Sequence, residues 1–129
     1  MAAPHPTEGE LAILRVLWSH KGAMTVHEVH AVLSRHKDTA YTTVLKMLTI
    51  MAEKGLLRRD ESERRHTYVA AHPEPVVQSS LLNDLMHRAF SGSALKLVQR
   101  ALDDDTASTE DLEAISTLIA KAKAKRKQG

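Results

Sequence analysis

A mainly α chain with one small β-hairpin is predicted by three features of this sequence. Two capping signatures, Thr7-Glu8-Gly9-Glu10 and Thr25-Val26-His27-Glu28, each open a helical apolar pattern. A third apolar stripe, Val44, Met47, Leu48 and Met51 at i, i+3, i+4 and i+7, ends at Gly55. Directly after that glycine the apolar period changes from helical to extended.

The elements follow in order. The first helix is predicted from about Glu8 to His20, burying Leu11, Leu14, Leu17 and Trp18, before Gly22 breaks the chain. A second helix of Val26 to Arg35 buries Val29, Val32 and Leu33. After the short link His36-Lys37-Asp38 comes a third helix over 39–54, with Thr39 as its N-cap. Thr42, Lys46, Thr49 and Glu53 lie opposite its apolar stripe, with Thr43 at the edge. Leu56-Leu57-Arg58-Arg59 and His66-Thr67-Tyr68-Val69 read as the two strands of a hairpin whose tip carries Arg64 and Arg65. Three helices in tandem, the last two joined by a short turn and followed by a hairpin, make a winged helix-turn-helix domain.

His72-Pro73-Glu74-Pro75 is the predicted boundary, because two prolines so close disfavour helix and ladder alike and leave the chain extended. Residues 1–72 then form the winged helix-turn-helix DNA-binding domain, and 73–129 a helical dimerisation domain with a basic tail. The second half holds an apolar helix face at Val77, Leu81, Leu82, Leu85 and Met86, ending near Ala89 before Ser91-Gly92-Ser93. A short helix carries Leu95, Leu97, Val98 and Leu102, and Asp103-Asp104-Asp105 reads as a polar loop. A last helix, capped by Ser108 with Asp111, presents Leu112, Ile115, Leu118 and Ile119. Such short helices enclose little core alone. Interlocking with the same elements of a second subunit, through Leu81, Leu85, Leu95, Leu97, Val98, Leu112, Ile115, Leu118 and Ile119, buries them; the alternative is packing back onto the winged domain in a monomer.

Short polar residues concentrated near one helix N-terminus are poor helix formers and invite a reason. Thr42, Thr43 and Lys46 are suited to phosphates and base edges, where threonine methyls also meet thymine methyls. An ordinary solvated face is the plainer alternative. Arg64 and Arg65 point to phosphate or minor-groove contact by the wing, and His66 is better placed for a phosphate than for a metal. Against this, Asp60, Glu61 and Glu63 offset those arginines locally.

Ala40-Tyr41-Thr42-Thr43-Val44, then Glu53-Lys54-Gly55-Leu56-Leu57, then the Arg/His/Tyr wing resemble the penicillinase-repressor family of the BlaI/MecI/CopY type. The resemblance runs from Thr7 to about Ala124, including Ser93-Ala94-Leu95-Lys96-Leu97-Val98. It implies a homodimeric transcriptional repressor on a partly palindromic double-stranded operator. It also implies a third helix in the major groove, with contacts at the positions of Tyr41, Thr42, Thr43, Lys46 and Thr49. Release from DNA would follow cleavage of Lys96–Leu97 by a membrane sensor-protease. Leu45 and Ile50 stand where some relatives carry basic residues, so the operator sequence does not carry over.

Charge argues only mildly for nucleic acid. The formal net charge of +2 conceals 3 basic against 8 acidic residues over 73–120, followed by Lys121, Lys123, Lys125, Arg126 and Lys127. That tail, from Ala120 on, extends the last helix or frays, and adds non-specific attraction to DNA. The 8 histidines include His27 and His30 at helical spacing, with His36 near, but no HExxH or Cys/His zinc pattern accompanies them. No metal or cofactor is therefore expected. With no Cys, no GxSxG elbow and no phosphate-binding glycine loop, no enzyme activity is expected either. No ~20-residue apolar run or signal-peptide core is present, and a cytoplasmic location is expected. Two other binding roles stay open: a ligand-sensing winged-helix regulator, and a protein-interaction module without specific DNA binding.

Overall fold

The computed structural model describes residues 5–128. Among them the elements run α1 (Glu8–Ser19), β1 (Met24–Thr25), α2 (Val26–Leu33), α3 (Tyr41–Glu53), β2 (Leu57–Asp60), β3 (Thr67–Ala70), α4 (Glu74–Phe90), α5 (Ala94–Asp103) and α6 (Thr109–Gln128). They fall into two compact units, one running to Asn83 and the other from Asp84.

Both early helices start as their sequences require. The Thr7 hydroxyl accepts the Glu10 N–H while the Glu10 carboxylate accepts the Thr7 N–H, and Thr25 with Glu28 repeats the arrangement. Glu10 then does more. Its carboxylate is almost fully buried and accepts from the Lys54 ammonium at 2.8 Å, which ties the start of α1 to the end of α3. Burial alone would raise this carboxyl. The Lys54 ammonium and the Thr7 N–H outweigh burial and hold it below the ordinary glutamate value.

Helix α3 ends in a left-handed glycine, as expected. Gly55 takes φ +83°, its N–H donates to the Ala52 carbonyl, and the Leu56 N–H donates to Met51. This pair of bonds satisfies orphan carbonyls and aims the chain into β2. The expected N-cap is corrected. The cap residue is Ala40, with no side-chain bond, because the Thr39 hydroxyl donates to the Lys37 carbonyl instead. The His30 Nε2–H donates to the Thr39 carbonyl at 2.7 Å, and this bond secures the α2–α3 turn.

The sheet has the order β1-β3-β2. The hairpin is shifted by about one residue from the expected strands, pairing Leu57 with Ala70 and Asp60 with Thr67. Strand β1 has no counterpart among the elements expected from sequence. It pairs Met24 with Tyr68 and Thr25 with Thr67, and two residues are too short to show a period in sequence. The core gathers Ile13, Leu14 and Leu17 of α1, Val29 of α2, the stripe Val44, Leu48 and Met51, and Leu56, Leu57 and Tyr68 of the wing. Each such side chain contributes roughly 1.5–3 kcal/mol over exposure. Leu11, Trp18, Val32, Leu33 and Met47 pack only partly against this core, while Ile13, outside the expected set, is buried. Trp18 is held at the rim, where its indole N–H donates to the His72 carbonyl at 3.0 Å.

The expected extended Pro-Glu-Pro segment is helical instead. The Pro73 carbonyl accepts from Val76 and Val77, which puts Pro75 in the first turn of α4, where a missing N–H costs nothing. Val77 is buried within the first unit, so the compact unit continues past the expected junction at 72/73. In the second unit Ser91 and Gly92 adopt positive φ, ending α4. Ser93 caps α5 through the Lys96 N–H, and Ser108 with Asp111 caps α6 reciprocally. The basic tail continues α6 to Gln128, its cations complementing the negative helix end.

Candidate nucleic-acid interface

The outer face of α3 is exposed over Tyr41, Thr42, Thr43, Lys46 and Ile50. Leu45 is 41% exposed, so it is a surface residue rather than a cover for the core. The Thr49 hydroxyl donates to the Leu45 carbonyl at 2.9 Å, which leaves its methyl as the contact it can offer a base. Thr42, Thr43 and Lys46 therefore stand on one solvent-facing surface without a protein partner for the Lys46 ammonium among the described residues.

The wing loop is organised by its own acids. The Asp60 carboxylate accepts the Ser62 N–H at 2.8 Å, and its hydrogen bonds with Ser62 lower its pKa. Glu61 pairs with Arg59 at 2.7 Å. A hydrogen bond with Tyr68, and then the Glu61 charge, raise the Arg59 guanidinium above its ordinary value. Two of the three acids expected to offset the wing tip are thus engaged elsewhere. Among the described residues Arg64 and Arg65 have no ion-pair partner.

The wing tip and the start of α3 face each other across an open groove of ≈380 Å³. It is lined by Arg64, Arg65, His66 and Tyr68 of the wing, by Tyr41 and Leu45 of α3, and by Thr25, Val26 and His27 of β1 and α2. Among the described residues no carboxylate lines it. Of the sequence-predicted residues, Tyr41, Arg64, Arg65 and His66 meet here. Thr42, Thr43, Lys46 and Thr49 lie on α3 outside this lining, and Thr43 borders a second groove between α1 and the α2–α3 turn. In sequence, His27 suggests only a metal ligand paired with His30. Their three-residue spacing does put both on one face, but that face meets Tyr41, at ring distances of 5.0 and 5.6 Å. The described residues contain no group of three or more His, Asp or Glu side chains arranged to hold a metal ion.

The expected dimerisation residues are strongly exposed within their own unit. Leu95 is 76% and Leu118 63% exposed, with Leu85, Val98, Leu112 and Ile119 also open, and Leu81, Leu97 and Ile115 half-buried. No residue of α5 or α6 is buried. Among the described residues no helix is long and apolar enough to cross a membrane.

The chain is similar to the Transcriptional regulator BlaI of Mycobacterium tuberculosis, with 35% identity over 80 residues, in two strains. That match covers 62% of this chain and spans 58% of the length of those mycobacterial relatives. The Penicillinase repressor of Bacillus licheniformis is 23% identical over 125 residues, 97% of each chain. The model of the family described as penicillinase repressor matches residues 6–121, through both compact units. The chain belongs to the penicillinase repressor family.

Proposed function

We propose that this chain is a sequence-specific DNA-binding transcriptional repressor that acts as a homodimer on a partly palindromic operator. The observation that carries the reading is the combination, within one compact unit, of an exposed Thr42/Thr43/Lys46 face on α3 with Arg64 and Arg65 on the adjacent wing, which have no ion-pair partner among the described residues. Small polar side chains on α3 suit base edges in the major groove, and wing cations suit phosphates. The printed names of the relatives, a transcriptional regulator and a penicillinase repressor, support the same role.

Homodimerisation accounts for the uncovered apolar side chains of the second unit. Large exposed residues on α4, α5 and α6 favour a self-complementary contact, and two-fold symmetry then supplies two half-site readers. Inactivation by a membrane sensor-protease at Lys96–Leu97 rests on the family resemblance. Lys96 is exposed, but the bond lies in the first turn of α5, with the Leu97 N–H donating to the Ser93 carbonyl at 3.3 Å. Cutting it therefore requires that turn to unwind. The product loses α6, and with it the bivalent hold on DNA.

The test is binding of the pure protein to its own upstream DNA, with a scrambled duplex and a salt series alongside. A protected two-fold site, held at least ~10³-fold more tightly than the scramble, is expected. Equal, weak and salt-labile binding to both duplexes would overturn the reading in favour of a protein-interaction module.

A further inference from the structure

The groove between α3 and the wing contains a side chain from a third element. His27 enters it from the first turn of α2, and its ring lies 5.0 Å from that of Tyr41, tilted by 50°. His30, one turn on, is committed to the Thr39 carbonyl and holds the α2–α3 turn. His27 is exposed and has no hydrogen-bond or ion-pair partner among the described residues. Its ring is positioned by Tyr41, yet its nitrogens are free.

We propose that this groove is a phosphodiester site in which His27 binds a backbone phosphate of the duplex together with Arg64, Arg65 and His66. The proposal rests on the DNA-binding reading above and deepens it. With two guanidiniums, two imidazoles and no carboxylate in the lining, nothing inside the groove competes with an incoming anion. All of these donors suit phosphate oxygens, and at ≈380 Å³ the groove is open enough to admit a phosphodiester.

Because imidazole is the side chain that ordinarily changes charge between about pH 5 and 8, the site couples DNA binding to proton uptake. His27 is faced by Tyr41 of α3 and by Arg64, Arg65 and His66 of the wing, with Glu28 and His30 beside it on its own helix. Glu28 is turned back onto the Thr25 N–H at 2.9 Å. An arriving phosphate favours the charged form of an imidazole beside it. A phosphate contact carries no sequence information, so removing it weakens every duplex by the same factor.

The experiment uses the full chain, its upstream duplex and a scrambled duplex of the same composition. Affinities are measured near pH 6 and pH 8 for the native protein, His27→Gln and His27→Arg. The native protein is expected to bind both duplexes ~3-fold or more tightly at the lower pH. His27→Gln loses part of that gain equally on both duplexes, with His66 keeping the rest, which leaves their affinity ratio unchanged. His27→Arg binds both duplexes more tightly than the native protein does at the higher pH. His27→Gln matching the native protein at both pH values overturns the proposal. So does an equal weakening by both variants, the result expected if His27 only packs against Tyr41. A native protein that binds the two duplexes alike defeats the sequence-specific reading instead, while the pH response on either duplex still tests the groove.

Discussion

Glu10 holds two roles on one carboxylate: it accepts the Thr7 N–H in the capping box of its own helix, and it pairs with Lys54 at the end of α3. Its lowered pKa means that the folded state holds the ionised form more tightly than the unfolded chain does. That contribution is complete above the unfolded glutamate value and is lost as pH falls through the lower, folded value. Glu10→Gln keeps an amide oxygen for the Thr7 N–H but loses the ionic bond to Lys54, and is therefore expected to lower the melting temperature at neutral pH, with a loss of about 1 kcal/mol. The difference from the native protein should narrow through the acid carboxylate range; a gap that stays constant down to about pH 2 would remove the ionised form from the account. Lys46 is the opposite kind of residue, exposed and without a partner among the described residues. Lys46→Ala should weaken operator binding while leaving the thermal melt unchanged within about 0.5 kcal/mol. Unaltered operator affinity would take Lys46 out of the interface.

The wing shows what an element adds to its residues. In sequence, Asp60, Glu61 and Glu63 stand beside Arg64 and Arg65 and suggest a self-neutralised loop. The hairpin register places Arg59 opposite Tyr68, where it takes Glu61 as partner, and Asp60 closes the turn at Ser62. The tip arginines are left available. Replacing both with alanine should flatten the dependence of log affinity on log salt by up to about 0.9 for each phosphate that the variant no longer neutralises. An unchanged slope in a salt titration would return the wing tip to solvent. Helix α3 is placed for the same interface by its end: the Gly55 turn leads into β2, which sets the wing beside the start of the helix.

For the whole molecule, the two compact units differ in how they close. The first buries aliphatic side chains from every one of its first three helices and from the wing, whereas α5 and α6 of the second bury none. Unmet apolar surface of that kind is what association removes from water. On the proposed homodimeric reading, Leu118→Asp is expected to leave a monomer in sedimentation or light scattering, while the melt of the winged unit persists. A dimer that survives the substitution would remove α6 from the interface.

Much of this architecture is legible from local chemistry. Capping boxes at Thr7 and Thr25, the stripe Val44-Met47-Leu48-Met51, and Gly55 act within a few residues, and each reads directly from the chain. The stretch that places Tyr41, Thr42, Thr43 and Lys46 on α3 belongs to the same class. What tertiary structure alone decided involves partners distant in sequence. Strand β1 exists because β3 lies beside it. Pro73 and Pro75 begin a helix because Val77 is buried in the first unit. His27 reaches the groove only because α2, α3 and the wing converge there, a meeting that no spacing along α2 announces. Short-range hydrogen bonds and helical period are encoded locally, whereas burial and charge compensation depend on which distant segments the core brings together.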